Sequence, residues 1–139
     1  MIKTIEYADG SKYVGEIINE MKNGQGTLTG YGISEGLTYE GEWKNDKLHG
    51  QGTYAFANVE TYVGEFKNGV IDGHGTLTQY AGYRYNGRGP DIKVKGSVYD
   101  GEFKDSVSHG QGTCTYDDGS QEEGIFENGI YIDKWHQAL

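Results

Sequence analysis

The chain has 139 residues, enough for one domain or one short array, and only 35% are hydrophobic, set against 24 glycines and 12 tyrosines. So little Leu, Ile and Val cannot fill a deep two-layer core, yet 13% aromatic residues at fixed spacing argue against disorder. The formal charge of −9 disfavours nucleic acid and whole-surface binding to an anionic membrane, and the single cysteine excludes an internal disulfide framework.

Met1-Ile2-Lys3-Thr4-Ile5-Glu6 contains no apolar run of signal-peptide length, and no later stretch reaches membrane-span length, so the expectation is a soluble, cytoplasmic protein. Thr4–Ala8 reads as an orphan strand that pairs forward. Asp9-Gly10 after it, and Asp118-Gly119 later, suggest type I′ hairpin turns, in which both central residues take positive φ.

A repeated unit then takes over. Tyr13-Val14-Gly15-Glu16-Ile17 is followed by Gly24-Gln25-Gly26, and the best copy runs from Tyr39-Glu40-Gly41-Glu42-Trp43 to Gly50-Gln51-Gly52-Thr53-Tyr54. Two more pair Tyr62-Val63-Gly64-Glu65-Phe66 with Gly73-His74-Gly75, and Tyr99-Asp100-Gly101-Glu102-Phe103 with Gly110-Gln111-Gly112. In all four the leading Tyr stands 11 residues before the first Gly of the pair. A decayed fifth copy, Glu123-Gly124-Ile125-Phe126, has no recognisable second half. Such self-similarity sets the architecture.

Each unit alternates with the period of a strand. Tyr39, Gly41 and Trp43 share one face and Glu40 and Glu42 the other, while Gly50, Gly52, Tyr54 and Phe56 share a face of the second strand. Glycine inside a strand weakens it, so a repeated one needs a reason: a ring from a neighbouring strand must lie over bare backbone. The segments between strands, such as Lys44-Asn45-Asp46-Lys47 and Lys67-Asn68-Gly69, are turn-rich and polar.

The leading positions 39 and 62, and 99 and 122, lie 23 residues apart, whereas 13 to 39 spans 26 and 62 to 99 spans 37. The three extra residues fall around Gly30–Gly36 and the fourteen extra between Gln79 and Val98. The longer insertion carries 4 basic and 1 acidic group, against 6 and 11 in residues 1–78 and 2 and 9 in 99–139. Tyr83-Arg84-Tyr85, a loop over 86–91, and Ile92-Lys93-Val94-Lys95 suggest an arm projecting about 23 Å at ~3.3 Å per residue. At the end, Asp133 is placed to cap one helical turn that lays Trp135 and Leu139 over the last hairpin as a cap, 131–139.

Tyr-x-Gly-Glu-Trp/Phe followed by Gly-x-Gly resembles the MORN (membrane occupation and recognition nexus) repeat, over about Tyr13 to Asn128. The resemblance implies 23-residue β-hairpin units side by side in one long twisted antiparallel sheet, and rigid scaffolds that bind peptides in an aromatic groove, dimerise, or accompany enzymes or membrane junctions. Three departures stand out: the insertion at 79–98, Ile17 in place of an aromatic, and Gln121-Glu122-Glu123, which lacks the leading Tyr.

The expected fold is therefore an all-β, single-layer, elongated antiparallel sheet of about five hairpins, with units starting near 13, 39, 62, 99 and 122. His49 and His109 hold the same position as Asn23 and Asp72, and Glu16, Glu42, Glu65 and Glu102 fall one per unit. Position-equivalent groups lie far apart along an array, so they suggest turn residues and a solvent-facing ladder rather than a catalytic centre. Cys114 reads as a small strand residue, and no Gly-x-Gly extends to a phosphate loop. No catalytic residue, metal site or cofactor is expected.

The candidate site is the aromatic face: Tyr39, Trp43, Tyr54, Phe56, Tyr62, Phe66, Tyr99, Phe103 and Tyr116. A protein partner, either a helix or an extended peptide, would lie along it, and open sheet edges would permit a homodimer. The alternative is weak binding of anionic phospholipid through Arg84, Arg88, Lys93 and Lys95.

Overall fold

A computed structural model of the chain describes residues 1–30, 36–84, 89 and 92–132, with 83, 84 and 92 described by backbone alone. Among these there are thirteen strands and no helix. After β1 (Ile2–Glu6) come the hairpins β2 (Lys12–Ile18) with β3 (Met21–Thr29), β4 (Leu37–Lys44) with β5 (Lys47–Phe56), and β6 (Glu60–Lys67) with β7 (Val70–Gln79). The short pair β8 (Gly82–Arg84) and β9 (Ile92–Val94) precedes β10 (Ser97–Lys104) with β11 (Val107–Tyr116), and β12 (Gln121–Glu127) with β13 (Ile130–Tyr131). Eleven strands form one open antiparallel meander in chain order, with β7 pairing directly to β10, while β8 and β9 make a separate two-stranded sheet. The insertion thus leaves and re-enters at one point, Gln79 opposite Ser97, without interrupting the sheet.

The tight turns follow from backbone sterics. Asn19-Glu20, Asn45-Asp46, Asn68-Gly69, Asp105-Ser106 and Asn128-Gly129 all have positive φ at both residues. That is the type I′ geometry whose twist matches a two-stranded hairpin, and Asn and Asp tolerate it best after Gly. Asp9-Gly10 and Asp118-Gly119 are different: only the glycine is left-handed, at 91° and 86°. Gly10 N–H donates to the Tyr7 carbonyl and Ser11 N–H to Asp9 Oδ1, and Gly119 and Ser120 repeat this with Tyr116 and Asp118. The Asp-Gly pairs therefore sit in longer turns, where Asp accepts from the backbone two residues on; the type I′ expectation fails there.

The strands are held in register by one row of glycines. Gly15, Gly26, Gly41, Gly52, Gly64, Gly75, Gly101, Gly112 and Gly124 face one another in succession from β2 to β12. Above this row lie the rings. A Cβ on Gly26, Gly75 or Gly112 would land inside the ring of Tyr13, Tyr62 or Tyr99, and one on Gly52 would stand 3.2 Å from Phe66. Each of the three tyrosines crosses its glycines and donates its hydroxyl to a backbone carbonyl three residues on: Tyr13 to Glu16 (3.0 Å), Tyr62 to Glu65 (2.8 Å) and Tyr99 to Glu102 (2.8 Å). Those glutamates sit at bulges in the pairing between Gly15 and Ile17, Gly64 and Phe66, and Gly101 and Phe103.

The rings also meet edge to face: Tyr62 with Phe66 at 5.2 Å and Phe103 at 5.3 Å, and Tyr99 with Phe103 and Phe126, both at 4.9 Å. Each such pair adds about 0.5–1.5 kcal/mol beyond the area it buries. Tyr13, Trp43, Tyr62, Phe66, Tyr99, Phe103 and Phe126 are buried in this way, with Ile17, Leu48 and Cys114. A single-layer sheet has made its core on its own face.

Two expectations need correction. The glutamates face solvent as expected but are not free: Glu16, Glu42 and Glu102 each turn a carboxylate oxygen to the N–H of Gln25, Gln51 and Gln111 at 2.5–2.6 Å, and Glu65 does the same to His74. This carboxylate lies over the first glycine of each pair, such as Gly73, whose φ is 106°. The fifth unit also keeps a second strand, since β13 pairs Tyr131 with Phe126. The orphan strand is present as β1, two residues earlier than expected. The tip of the arm, with Tyr85 and Arg88, and the helical cap on Asp133 to Leu139 lie outside the described residues; only the base of the arm, β8 and β9, is seen.

Three outcomes follow. Gly75→Ala should cost several kcal/mol, about 3 or more, because Tyr62 has nowhere to go, whereas Gly119→Asn should cost less than about 1 kcal/mol; chemical denaturation measures both. Glu20→Gly should stabilise by roughly 0.5–1 kcal/mol by relieving a left-handed non-glycine residue at φ 65°. Burial, with the nearby Glu65 and Glu102 carboxylates, pushes the Tyr62 and Tyr99 phenols up to about 12. Since the folded value exceeds the unfolded one, their contribution is complete below about pH 10 and disappears as pH rises through about 12. Phenolate absorbance and sheet circular dichroism should therefore change together in that window.

Candidate functional site

Of the nine aromatic residues on the candidate face, five are consumed by packing: Trp43, Tyr62, Phe66, Tyr99 and Phe103 are each at most 7% exposed. They are the core rather than a free surface. Tyr39, Tyr54, Phe56 and Tyr116 remain half-buried, with part of each ring open to solvent.

The second unit differs from its neighbours in a way that opens the face. Its leading residue, Tyr39, does not follow Tyr13, Tyr62 and Tyr99 over the glycines; the ring above Gly52 is Phe66 of the next unit. Trp43 extends the other way, its indole N–H donating to the Gly26 carbonyl at 2.9 Å and its ring meeting Tyr13 at 5.6 Å. Tyr39 instead leans on Tyr54, ring centroids 5.4 Å apart and tilted by 48°. Among the described residues the Tyr39 hydroxyl has no hydrogen-bond partner, whereas Tyr54 donates to Glu60 at 3.0 Å and Gln79 bonds the other Glu60 oxygen at 3.3 Å. Burial raises the Tyr39 phenol, and burial and then the Glu60 bond raise Tyr54 further. Both are neutral donors at physiological pH.

A second opening lies at the other end of the array. Tyr116 donates to Glu122 at 2.5 Å, which, ahead of burial, holds its phenol far above the usual value. Beside it is a cleft of about 340 Å³, lined in part by Leu77, Tyr99, Cys114, Glu122, Phe126 and Tyr131. Sequence reasoning missed this cleft. Its signal was available in the residues that follow each turn and in the missing leading Tyr, read as neighbours in space.

The groups that could suggest catalysis are scattered. His49 and His109 each use Nδ1 to accept the first N–H of the next unit's turn, from Asn68 at 3.4 Å and Asn128 at 3.3 Å. Asn23 and Asp72 do the same for Asn45 and Asp105. The two histidines are strand residues that bond to a turn, not turn residues as expected, because the two-residue turns end before them; they lie on β5 and β11, with β6, β7 and β10 between them. His74 is exposed beside Asp100, 3.2 Å away. Cys114 is buried, and no group of three His, Cys, Asp or Glu side chains suited to a metal occurs among the described residues. His136 lies outside them.

The basic island is only partly free. Lys95 pairs with Asp118 at 3.0 Å and lies 5.0 Å from the centre of the Tyr116 ring. Ser120 first, then Lys95, holds the Asp118 carboxyl well below the usual range. Gly96 and Asp117 also bond, so the base of the arm is fastened to the turn between β11 and β12. Lys93 is exposed; the Arg84 side chain and Arg88 lie outside the described residues. At the ends of the sheet, β1 and β13 have one described neighbour each.

No curated protein matches the chain. The family model for the MORN repeat matches residues 13–32, 39–58, 62–82 and 99–121. These four segments coincide with the hairpins described above, and repeats of this kind generally serve protein or membrane-lipid interactions and are typically non-catalytic. The chain belongs to the MORN-repeat family.

Proposed function

We propose that the protein is a non-catalytic interaction scaffold that holds a protein partner against its aromatic face. The observation that carries this reading is the second unit, where Tyr39 leaves the glycine row, has no hydroxyl partner among the described residues and stands against Tyr54 in a half-open patch. Tyr rings lose little conformational entropy on binding and dominate interface energetics. Phe56 and Tyr116 extend the accessible aromatic surface along the same face.

The lipid alternative has less support. A polybasic site gains about 1 kcal/mol per cation near an anionic surface, but Lys95 is already engaged by Asp118 and Tyr116. Strongly acidic segments flank the rest of the island.

The test is affinity capture with Tyr39→Ser/Tyr54→Ser in parallel with the native sequence. Because these rings are half-buried, circular dichroism should stay close to native while the captured partner drops by tenfold or more. In a parallel arm, flotation with vesicles rich in phosphatidylserine should show little protein at 150 mM salt and no effect of Lys93→Gln/Lys95→Gln. Unchanged capture, or salt-sensitive flotation lost in the lysine variant, would transfer the function to the insertion.

A further inference from the structure

Two positions of the fourth unit and the leading position of the fifth differ from their equivalents elsewhere in the array, and all three line one cleft. Across each hairpin the residue opposite the second ring position is Lys22 (facing Ile17), Leu48 (facing Trp43), Ile71 (facing Phe66), Ser108 (facing Phe103) and Tyr131 (facing Phe126). Four of these side chains are long; Ser108 alone is small. The residue opposite the leading Tyr is Leu28, Tyr54 and Leu77 in the first three units and Cys114 in the fourth. The strand after that presents Tyr39, Tyr62 and Tyr99 to those same positions, but Glu122 to Cys114. Ser for a large aliphatic, Cys for Leu or Tyr, and Glu for Tyr together leave the cleft of about 340 Å³ between Tyr99, Phe103, Phe126 and Tyr131.

Unfilled apolar space lowers stability, and the residues that would fill it stand at the same positions one unit away. A chain shaped only by packing would carry Ile and Leu here as well. The wall chemistry is also specific: an apolar floor of rings ends at the Glu122 carboxylate. Lys95, which also lines the cleft, forms its ion pair with Asp118 at 3.0 Å. Residues 99–139 carry 2 basic and 9 acidic groups, so the surroundings favour a cation.

We propose that the cleft made by Ser108, Cys114 and Glu122 is the socket for one apolar anchor side chain of a basic partner peptide, with a lysine or arginine next to the anchor meeting Glu122. This rests on the reading of the aromatic face as a partner-binding surface and names where along that face the partner is gripped.

The probe is a fluorescein-labelled peptide of alternating lysine and alanine with one central leucine, titrated into the full chain by anisotropy. Controls carry alanine at the centre, or glutamate in place of lysine. Ser108→Ile copies the third unit, so it should fold at least as stably as the native chain by thermal unfolding, yet bind the leucine peptide at least tenfold more weakly. Glu122→Gln keeps the acceptor for Tyr116 and should weaken binding about threefold while flattening its salt dependence. Bound peptide should also slow alkylation of Cys114, the chain's one thiol, by fivefold or more.

Equal affinity of native and Ser108→Ile protein overturns the socket, as does failure of the native chain to bind at millimolar peptide. If Tyr39→Ser/Tyr54→Ser loses the peptide while Ser108→Ile does not, the face reading survives and the socket alone fails. Tighter peptide binding on Trp135→Ala would give the cleft to the chain's own C-terminal segment, and a dimer dispersed by Ser108→Ile would give it to a second copy; either replaces the proposal.

Discussion

A phenol ring laid across two opposed glycines, with its hydroxyl held by a carbonyl of its own strand, is the contact from which the rest of this molecule follows. It lets one sheet bury large side chains without a second layer, because the space a second layer would supply is found above the missing Cβ atoms. It accounts for a composition rich in Gly and Tyr and poor in aliphatics. Phenylalanine would fill the volume, but only tyrosine also satisfies the Glu16, Glu65 or Glu102 carbonyl at its bulge. The bulge in turn swings the glutamate side chain back to the N–H between the two glycines, so ring, bulge and carboxylate form one device repeated along the sheet.

Each device closes only with help from the next unit. Phe103 packs on Tyr62 as well as on Tyr99, Phe66 covers Gly52, and Asn68 in one turn donates its N–H to His49 on a strand of the unit before. Stability in such an array is a sum of neighbour terms. A substitution that shortens one side chain therefore opens the surface at one place without collapsing the sheet. Function can be written into an array of this kind by local departures: Tyr39 leaving its row, or Ser108 standing where an aliphatic belongs. The same arrangement keeps equivalent ionisable groups apart, so that two histidines alike in sequence are separated by three strands.

Much of this was legible before any coordinates. The distance from each leading Tyr to its Gly-x-Gly determines strand length and register, and alternation places rings and glycines on one face. What was not legible depended on the neighbour one unit over. Trp43 and Tyr39 alternate identically in sequence, yet Trp43 is covered by Tyr13 while Tyr39 does not lie over Gly52, where Phe66 of the next unit stands instead. The turns were misread for a different reason. Asp-Gly signals a left-handed glycine, but the number of residues between the paired strands decides the turn type, and the two-residue loops belong to Asn19-Glu20 and its equivalents. The glutamates do face solvent, but alternation gives no sign of the bulge that brings each carboxylate to a backbone N–H on the next strand.

The ends of the array show the same logic under strain. Among the described residues, an inner ring has rings on both sides and an outer one does not. At the start, Ile17 replaces an aromatic, and Lys22 lies over the rings of Tyr7, Tyr13 and Trp43 at 5.2–5.6 Å, with Asp46 3.6 Å from its ammonium. The charge does there what another ring does elsewhere, since a cation over aromatic faces is held by their quadrupoles while its methylene stem covers apolar surface. At the other end Tyr131 closes over Phe126, ring centroids 5.3 Å apart. Phe126 joins Tyr99 and Tyr131, and the cleft lined by Ser108, Cys114 and Glu122 lies beside these rings. Near one end a lysine stem and its charge cover the outer rings; near the other, serine, cysteine and glutamate stand around a cleft where the third unit carries isoleucine and leucine and the next strand a tyrosine, so local side-chain size alone makes the two ends differ.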